Sequence, residues 1–375
     1  MTATAPTVVV LGGGPAGAVA AAVLARGGIE VVVLEANAGP VPKIGENLPP
    51  AMRPLLERLG LTALLDEAGH VRCHGHRSVW GSEEPVEEDF LFGTFGSGWH
   101  LDRARFEQML ADAAVEAGAR WCWDHHAVDA RWKAGRWTLE VEAPHALIEL
   151  EAEFVIDATG RAARFARGAG ARRRQLDKLV GAAVMFGPSA GRALDGFTLV
   201  EARPDGWWYT APLRDDRAVA VFMTDGDRLS EGGLRSSDGW LAALQATTHT
   251  RKRLEGVFDL AEVSPRVMPA GSAWLEQLSG PGWLAIGDAA LSFDPLSSHG
   301  MGSAMTTGYY GACALAEHLA GHPDALATYE ALVRGMFDDY LERLHQHYGL
   351  ERRWPNEPFW SRRHEPVTRP LAQPA

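Results

Sequence analysis

The chain has 375 residues, 46% of them hydrophobic, and a net charge of −12. That length buries a large core and fits two domains, or one domain holding a second. The acidic balance excludes nucleic acid and anionic membrane as expected partners. Three cysteines, Cys73, Cys122 and Cys313, show neither a disulfide framework nor metal-ligand spacing, so no metal is expected. Met1–Thr7 is short and uncharged, unlike a signal peptide, and apolar windows such as Ala18–Leu24 are too short to span a bilayer. A cytoplasmic setting is the economical expectation.

Thr7–Leu11 (TVVVL) reads as a buried strand, Gly12–Gly17 as a tight turn and Ala18–Arg26 as an alanine-rich helix. Ile29–Leu34 reads as a second strand ending at Glu35, so the chain opens with a βαβ unit. Gly12-Gly-Gly14-Pro-Ala16-Gly17 fits the dinucleotide fingerprint G-x-G-x-x-G. Gly12 permits the turn, Gly14 lets backbone approach a pyrophosphate, and Gly17 lets the helix pack on the strand. Glu35 is placed for a ribose 2′-hydroxyl, which favours FAD or NAD over NADP. A glycine-rich turn without ligand is the bland alternative, and the strand–turn–helix–strand context weighs against it.

Lys43-Ile-Gly-Glu46-Asn-Leu-Pro-Pro50 is a charged loop whose prolines suit a turn but whose Gly45-Glu46 a turn does not explain. Met52–Leu65 reads as one amphipathic helix and Val79–Phe95 as strands. Leu101–Ala117 reads as a helix N-capped by Asp102, with Arg105 on its first turn, within reach of a pyrophosphate. Strands are expected at 127–133, 136–142 and 147–151. Phe154–Ile156 follows, leading into Asp157-Ala-Thr-Gly160, a turn that lets backbone approach a nucleotide.

Residues 180–225 are all β in pattern, and Ser237–Leu254 is helical. Trp283–Ile286 returns as a strand, and Met301–Leu319 and Pro323–His347 are helices. The tail from Arg352 carries only scattered aromatics. Arg164, Arg167 and Arg172–Arg174 form a basic run, more often a solvated face than a phosphate site. The expected fold is α/β: a discontinuous Rossmann-type domain (1–75, 100–175, 265–322), an inserted β-rich substrate domain (76–99, 176–264), and a C-terminal helix and tail (323–375).

Residues 283–305, WLAIGDAALSFDPLSSHGMGSAM, end a buried strand in Gly287-Asp288, then run through a rigid Pro/Ser/Gly loop into a helix. A carboxylate at the C-terminal end of a strand accepts hydrogen bonds from a polyhydroxylated ligand. The loop before the helix offers N–H groups and a positive dipole end to an electron-rich ring.

With the N-terminal fingerprint, Arg105 and this late segment in order, residues 7–320 resemble the FAD-dependent monooxygenase and halogenase superfamily, of aromatic-hydroxylase fold. The resemblance implies that FAD contacts Gly12, Gly14, Ala16, Gly17, Glu35, Lys43, Glu46, Arg105, Val128, Asp288, Pro295, Gly300 and Met301. It implies NAD(P)H as reductant, directly or through a separate flavin reductase. It further implies O₂ as co-substrate and a flavin C4a-hydroperoxide delivering oxygen to an aromatic ring.

Trp207-x-Tyr209-x-Ala211-Pro212 resembles the W-x-W-x-I-P of tryptophan halogenases, with the second Trp and the Ile changed. Cys73-His-Gly-His-Arg-Ser78 lacks the lysine that halogenases need to relay hypohalous acid, so halogenation is disfavoured. The segments WHLDRARFEQML, GWWYTAPL, DPLSSHG and RRWPNEPFW are most similar to the branch of LodB- and GoxB-type flavoproteins, which modify tryptophan in a partner protein. That implies an indole or tryptophan substrate, free or peptide-borne, with Trp207 and Tyr209 as substrate wall.

His299 in the flavin loop, and His74 or His76 before the insertion, are the expected bases, although His74 and His76 fit ordinary loop residues equally well. A halogenase, a flavin-dependent isoprenoid reductase and a non-catalytic flavin-bearing scaffold remain the alternatives.

Overall fold

The computed structural model describes residues 8–189, 191–261 and 263–365; Met1–Thr7, including the first residue of the expected strand Thr7–Leu11, and the last ten tail residues fall outside them. At the centre the wholly buried strand Val8–Leu11 pairs in parallel with Val31–Glu35 on one side and Phe154–Asp157 on the other. Near-continuous Val and Ile runs are what parallel strands covered on both faces require. The six-stranded sheet runs Ser279–Gly280, Trp283–Ala285, Phe154–Asp157, Val8–Leu11, Val31–Glu35, Arg120–Trp123. The returning strand pairs in parallel with Phe154–Asp157, Val155 opposite Trp283. This places Gly287-Asp288 beside the Gly12 turn although 275 residues separate Gly12 from Gly287.

Helix Pro15–Arg26 buries Ala18, Val19, Ala20 and Ala21, and the long helix Gly300–Leu319 packs on it. The meander His126–Lys133, Arg136–Ala143 and Ala146–Ala152 adds Trp137, Leu139 and Val141 to the same core. Its first turn, Ala134-Gly135, has φ of 52° and 79°, the all-positive geometry that matches strand twist in a two-residue hairpin.

The inserted sheet has seven strands, ordered Arg266–Pro269, Leu179–Phe186, Ala218–Asp225, Gly206–Pro212, Phe197–Arg203, Gly75–Val79, Val86–Asp89. Side-chain alternation gives it two jobs. Trp208 and Phe222 stack at 5.1 Å and pack with Trp240 of a covering helix. Trp207, Tyr209, Val221 and Met223 belong to the opposite face. Arg266–Pro269 pairs with Leu179–Phe186 as an edge strand of this sheet, although the sequence groups it with the nucleotide domain. Gly98 and Trp99, grouped with the insertion, belong to the strand Gly98–His100, which pairs instead with Asn47–Leu48 and Val71–Cys73.

Three expected elements change. The helix expected over Met52–Leu65 is two, Arg53–Leu59 and Thr62–Glu67, because Gly60 takes the left-handed φ of 74° that ends a helix. Ser237–Leu254 also splits. The buried carboxylate of Glu201 accepts the N–H groups of Thr248, His249 and Thr250 (2.8, 3.2 and 2.7 Å) and starts a second helix at His249. The tail is not irregular: Pro358–His364 is a helix whose Trp360 indole donates to the Arg203 carbonyl at 2.8 Å. No helix among the described residues is long and apolar enough to cross a membrane.

Candidate active site

The first βαβ turn opens onto a cavity of about 1110 Å³, walled on one side by the six-stranded domain and on the other by the inserted sheet. A Cβ at Gly12 would sit 2.3 Å from the Ala158 carbonyl oxygen, and one at Gly17 would sit 2.0 Å from that of Gly12. Only glycine permits those two approaches. Gly14 has no protein atom within 4 Å of its missing Cβ and faces the cavity. The turn is therefore tight against protein at Gly12 and Gly17 and open at Gly14, as a pyrophosphate cradle at a helix N-terminus must be.

Glu35 accepts the Gly13 N–H at 2.7 Å and the Asn37 N–H at 3.0 Å, which fixes its carboxylate at the cavity wall. Val128 lines the same region. Asp157 is buried and staples the strand to the turn beyond it, accepting from Thr159 N–H (2.9 Å), Thr159 Oγ1 (2.6 Å) and Ala166 N–H (2.8 Å).

Asp288 opens onto the cavity from behind, its side chain 32% exposed and Arg161 Nε 3.4 Å from its carboxylate. Enclosure by protein pushes its carboxyl upward, opposed by Arg161 and Arg173. A ligand offering hydroxyl donors there adds the hydrogen bonds that favour the carboxylate.

The loop after the second strand is tied down by one buried carboxylate. Glu107 binds Lys43 Nζ at 2.7 Å and Arg103 at 2.5 Å, while Arg103 also donates to the Ile44 and Gly45 carbonyls at 3.0 Å each. Arg103, not Arg105, lines the cavity, and Arg105 is exposed. The two arginines stand two positions apart, about 200° around one helix, so Arg105 faces away from the cavity side that Arg103 occupies.

Glu46 is 2% exposed and accepts the Tyr209 hydroxyl. Burial, then the neighbouring Glu46, holds the Tyr209 phenol well above its usual range. Val221, Met223 and Met268 form the apolar wall beside this pair, and Pro295, Ser298, Gly300 and Met301 line it from the late loop.

The histidines do not join them. His299 stands at the residue before the helix without a side-chain capping bond, and is exposed and absent from the cavity lining. His74 is exposed beside Phe197, and His76 sits on Gly75–Val79, hydrogen-bonded to Thr198, with burial lowering its pKa. Gly75–Val79 is separated from the Tyr209 strand by Phe197–Arg203, which accounts for the difference. Trp207 is also off the cavity: its indole donates to Tyr348 Oη at 3.1 Å under the C-terminal helices. Sequence reading had singled out none of Arg103, Asn47 and Arg161. Asn47 lay in view in the KIGEN loop, whereas the other two are set by helix phase and a distant strand.

The polar surface suits FAD. Both side-chain polar atoms of Asn47 and the Arg103 Nε are buried without a protein partner. Their residues line the cavity, so a flavin nucleotide supplies partners the protein does not.

A dinucleotide turn, a carboxylate at Asp288 lining the cavity and a separate sheet closing it make up the framework of a flavin-dependent oxidoreductase. Residues 5–341 match the FAD binding domain family, and the chain belongs to it. Over 359 residues it is 30% identical to the putative FAD-dependent oxidoreductase LodB of Marinomonas mediterranea, covering 95% of this chain and 96% of that one. It is 27% identical over 356 residues to the tryptophan 2-halogenase of Chondromyces crocatus, covering 88% and 65%. The fold is similar to the myxobacterial chondrochloren halogenase CndH, with a TM-score of 0.86 and 25% identity over 96% of this chain and 85% of that one. It is also similar to the peptidyl tryptophan dihydroxylase QhpG, with a TM-score of 0.79 and 22% identity over 96% and 79%. The chain is an FAD-dependent oxidoreductase of the halogenase and hydroxylase family.

Proposed function

We propose that this chain hydroxylates an electron-rich aromatic ring, the indole of tryptophan, free or carried in a peptide. NAD(P)H is the reductant, directly or through a separate reductase. A ring C–H, O₂, NAD(P)H and a proton become ring C–OH, water and NAD(P)⁺. One oxygen atom enters the ring and the other leaves as water.

The observation that carries this reading is the cavity's cations. Lys43 is the sole lysine among the lining residues, and Glu107 holds its ammonium at 2.7 Å. Cys73–Ser78, the stretch where the halogenase resemblance places a relay lysine, carries none. The likeness to LodB over nearly the whole chain supports the same reading.

Bound FAD supplies electron transfer and oxygen activation; Gly14, Glu35, Arg103, Asn47 and Asp288 would hold it. The chain itself provides proton handling and exclusion of water. Tyr209, kept protonated by burial and by Glu46, is a hydroxyl donor at the cavity wall. Glu46 Oε1 accepts that hydroxyl and is the acceptor for the proton the ring carbon loses as aromaticity returns. Val221, Met223 and Met268 give the ring an apolar surface and keep water away.

The test is oxygen uptake by the FAD-loaded protein with NADH or NADPH and a reductase, comparing free tryptophan, tryptophan-containing peptides and non-aromatic controls. Uptake coupled to a hydroxylated aromatic product supports the reading. Substrate turnover without O₂ contradicts it and selects the reductase alternative.

A further inference from the structure

The family match ends at residue 341, yet side chains beyond it reach the loop that lines the cavity. Asp294, 2% exposed, begins that loop. Its Oδ1 accepts the Leu296 N–H at 2.8 Å and its carbonyl accepts the Ser297 N–H at 3.1 Å, which winds Pro295–Ser297 into a single turn. Its Oδ2 accepts the Tyr348 hydroxyl at 2.8 Å, and its own N–H donates to Tyr340 Oη at 2.8 Å. Both tyrosines come from the helix Ala325–Tyr348. Tyr348 Oη also receives the Trp207 indole N–H, so one hydroxyl joins the inserted sheet, the C-terminal helix and the flavin-side loop. Arg363, from the last helix, lies 5.3 Å over the Tyr348 ring and is anchored by Asp225 at 2.8 Å. Asp294 itself is absent from the cavity lining, whereas Pro295, Ser298, Gly300 and Met301 are part of it.

We propose that Asp294 is a positioning residue whose carboxylate, held by Tyr348, sets the Pro295–Met301 loop against the flavin, so that the C-terminal helices complete the FAD site. The geometry makes the ionised form the working one. A carboxylate accepts from Leu296 and Tyr348 together, while a protonated carboxyl must redirect one oxygen as a donor, and both of its neighbours are already donating to it.

The groups facing it are few. Burial, then Asp177, raises the Asp294 carboxyl to about 6, against the Leu296 N–H, Arg363 and the Tyr348 hydroxyl, which lower it. Tyr340 is held protonated far above its range, chiefly by burial and then by Asp294. Because the folded-state value is raised, ionising Asp294 works against global stability as pH rises through about 6, while it orders the loop. Stability and site order therefore respond to pH in opposite directions, which a purely structural carboxylate would not show.

The inference rests on the cavity holding FAD. The experiment measures FAD dissociation from full-length protein by flavin fluorescence, and thermal stability in parallel, from about pH 5 to 8. The wild type is expected to lose FAD affinity about tenfold on acidification with a midpoint near 6. Asp294→Asn should flatten that limb, because an amide cannot accept from Leu296 and Tyr348 together at any pH. Tyr348→Phe removes a bond to the carboxylate and should move the midpoint upward. An acid limb that survives unchanged in both variants overturns the proposal, as does FAD affinity independent of pH in the wild type. If Asp294→Asn does not fold, the direction of the Tyr348→Phe shift decides alone. Protein that binds no FAD at any pH refutes the cavity assignment instead.

Discussion

Gly14 and Gly17 stand three residues apart in one motif, yet the structure predicts opposite consequences for the same substitution. Gly14 has φ of −68°, which any residue adopts, and no protein atom lies within 4 Å of a Cβ built there. Gly14→Ala should leave folding stability within about 0.5 kcal/mol of wild type, since a poorer helix cap is offset by a less flexible unfolded chain. That methyl group would, however, stand where a pyrophosphate must approach. Overpacking of that kind costs about 1–3 kcal/mol, or roughly 5- to 150-fold in FAD affinity. At Gly17 the clash is with the Gly12 carbonyl oxygen at 2.0 Å, backbone against backbone. Gly17→Ala should therefore lower the melting temperature as well, despite alanine's better helix propensity. The assay is thermal denaturation of apoprotein beside FAD titration by fluorescence. Wild-type FAD affinity in Gly14→Ala would refute the placement of the pyrophosphate at this turn. Unchanged apoprotein stability in Gly17→Ala would refute the packing argument.

Tyr209→Phe and Glu46→Gln should each lower kcat for ring hydroxylation about 10²-fold while FAD affinity stays within about threefold; equal loss of both marks them as flavin ligands instead. Arg103→Ala should weaken FAD binding and destabilise the fold by less than the about 3–5 kcal/mol typical of a broken buried pair, because Lys43 still neutralises Glu107. Arg105→Ala should change neither, and titration of both variants with FAD separates the two arginines. His76→Ala and His299→Ala should keep the pH dependence of kcat. An acid limb lost in either variant would restore histidine as the base.

The parts legible in the sequence were those in which one short segment carries its own chemical constraint. GGGPAG can hardly do anything but turn tightly beneath a helix, and the late Gly287-Asp288 follows a buried strand that needs a parallel partner. Features set by phase or by distant pairing were not legible. Arg103 and Arg105 differ only in which side of one helix faces the cavity, and nothing local fixes that phase against the 43–50 loop. His74 and His76 looked promising as a local cluster. Parallel pairing of Gly75 with Phe197 then put them one strand beyond the Tyr209 strand's neighbour. Tyr209 was visible as an aromatic, but its partner Glu46 lies 163 residues away. The aromatic tail looked irregular because Trp354, Phe359 and Trp360 make sense only against the inserted sheet they cover.

The central claim is that this cavity oxygenates an indole rather than halogenating it. Mass spectrometry of the product formed under ¹⁸O₂, with chloride and bromide present, reads the two outcomes from one sample. The account predicts product carrying ¹⁸O bound to the ring, with no halogen isotope pattern. A chlorinated or brominated product without label would contradict it.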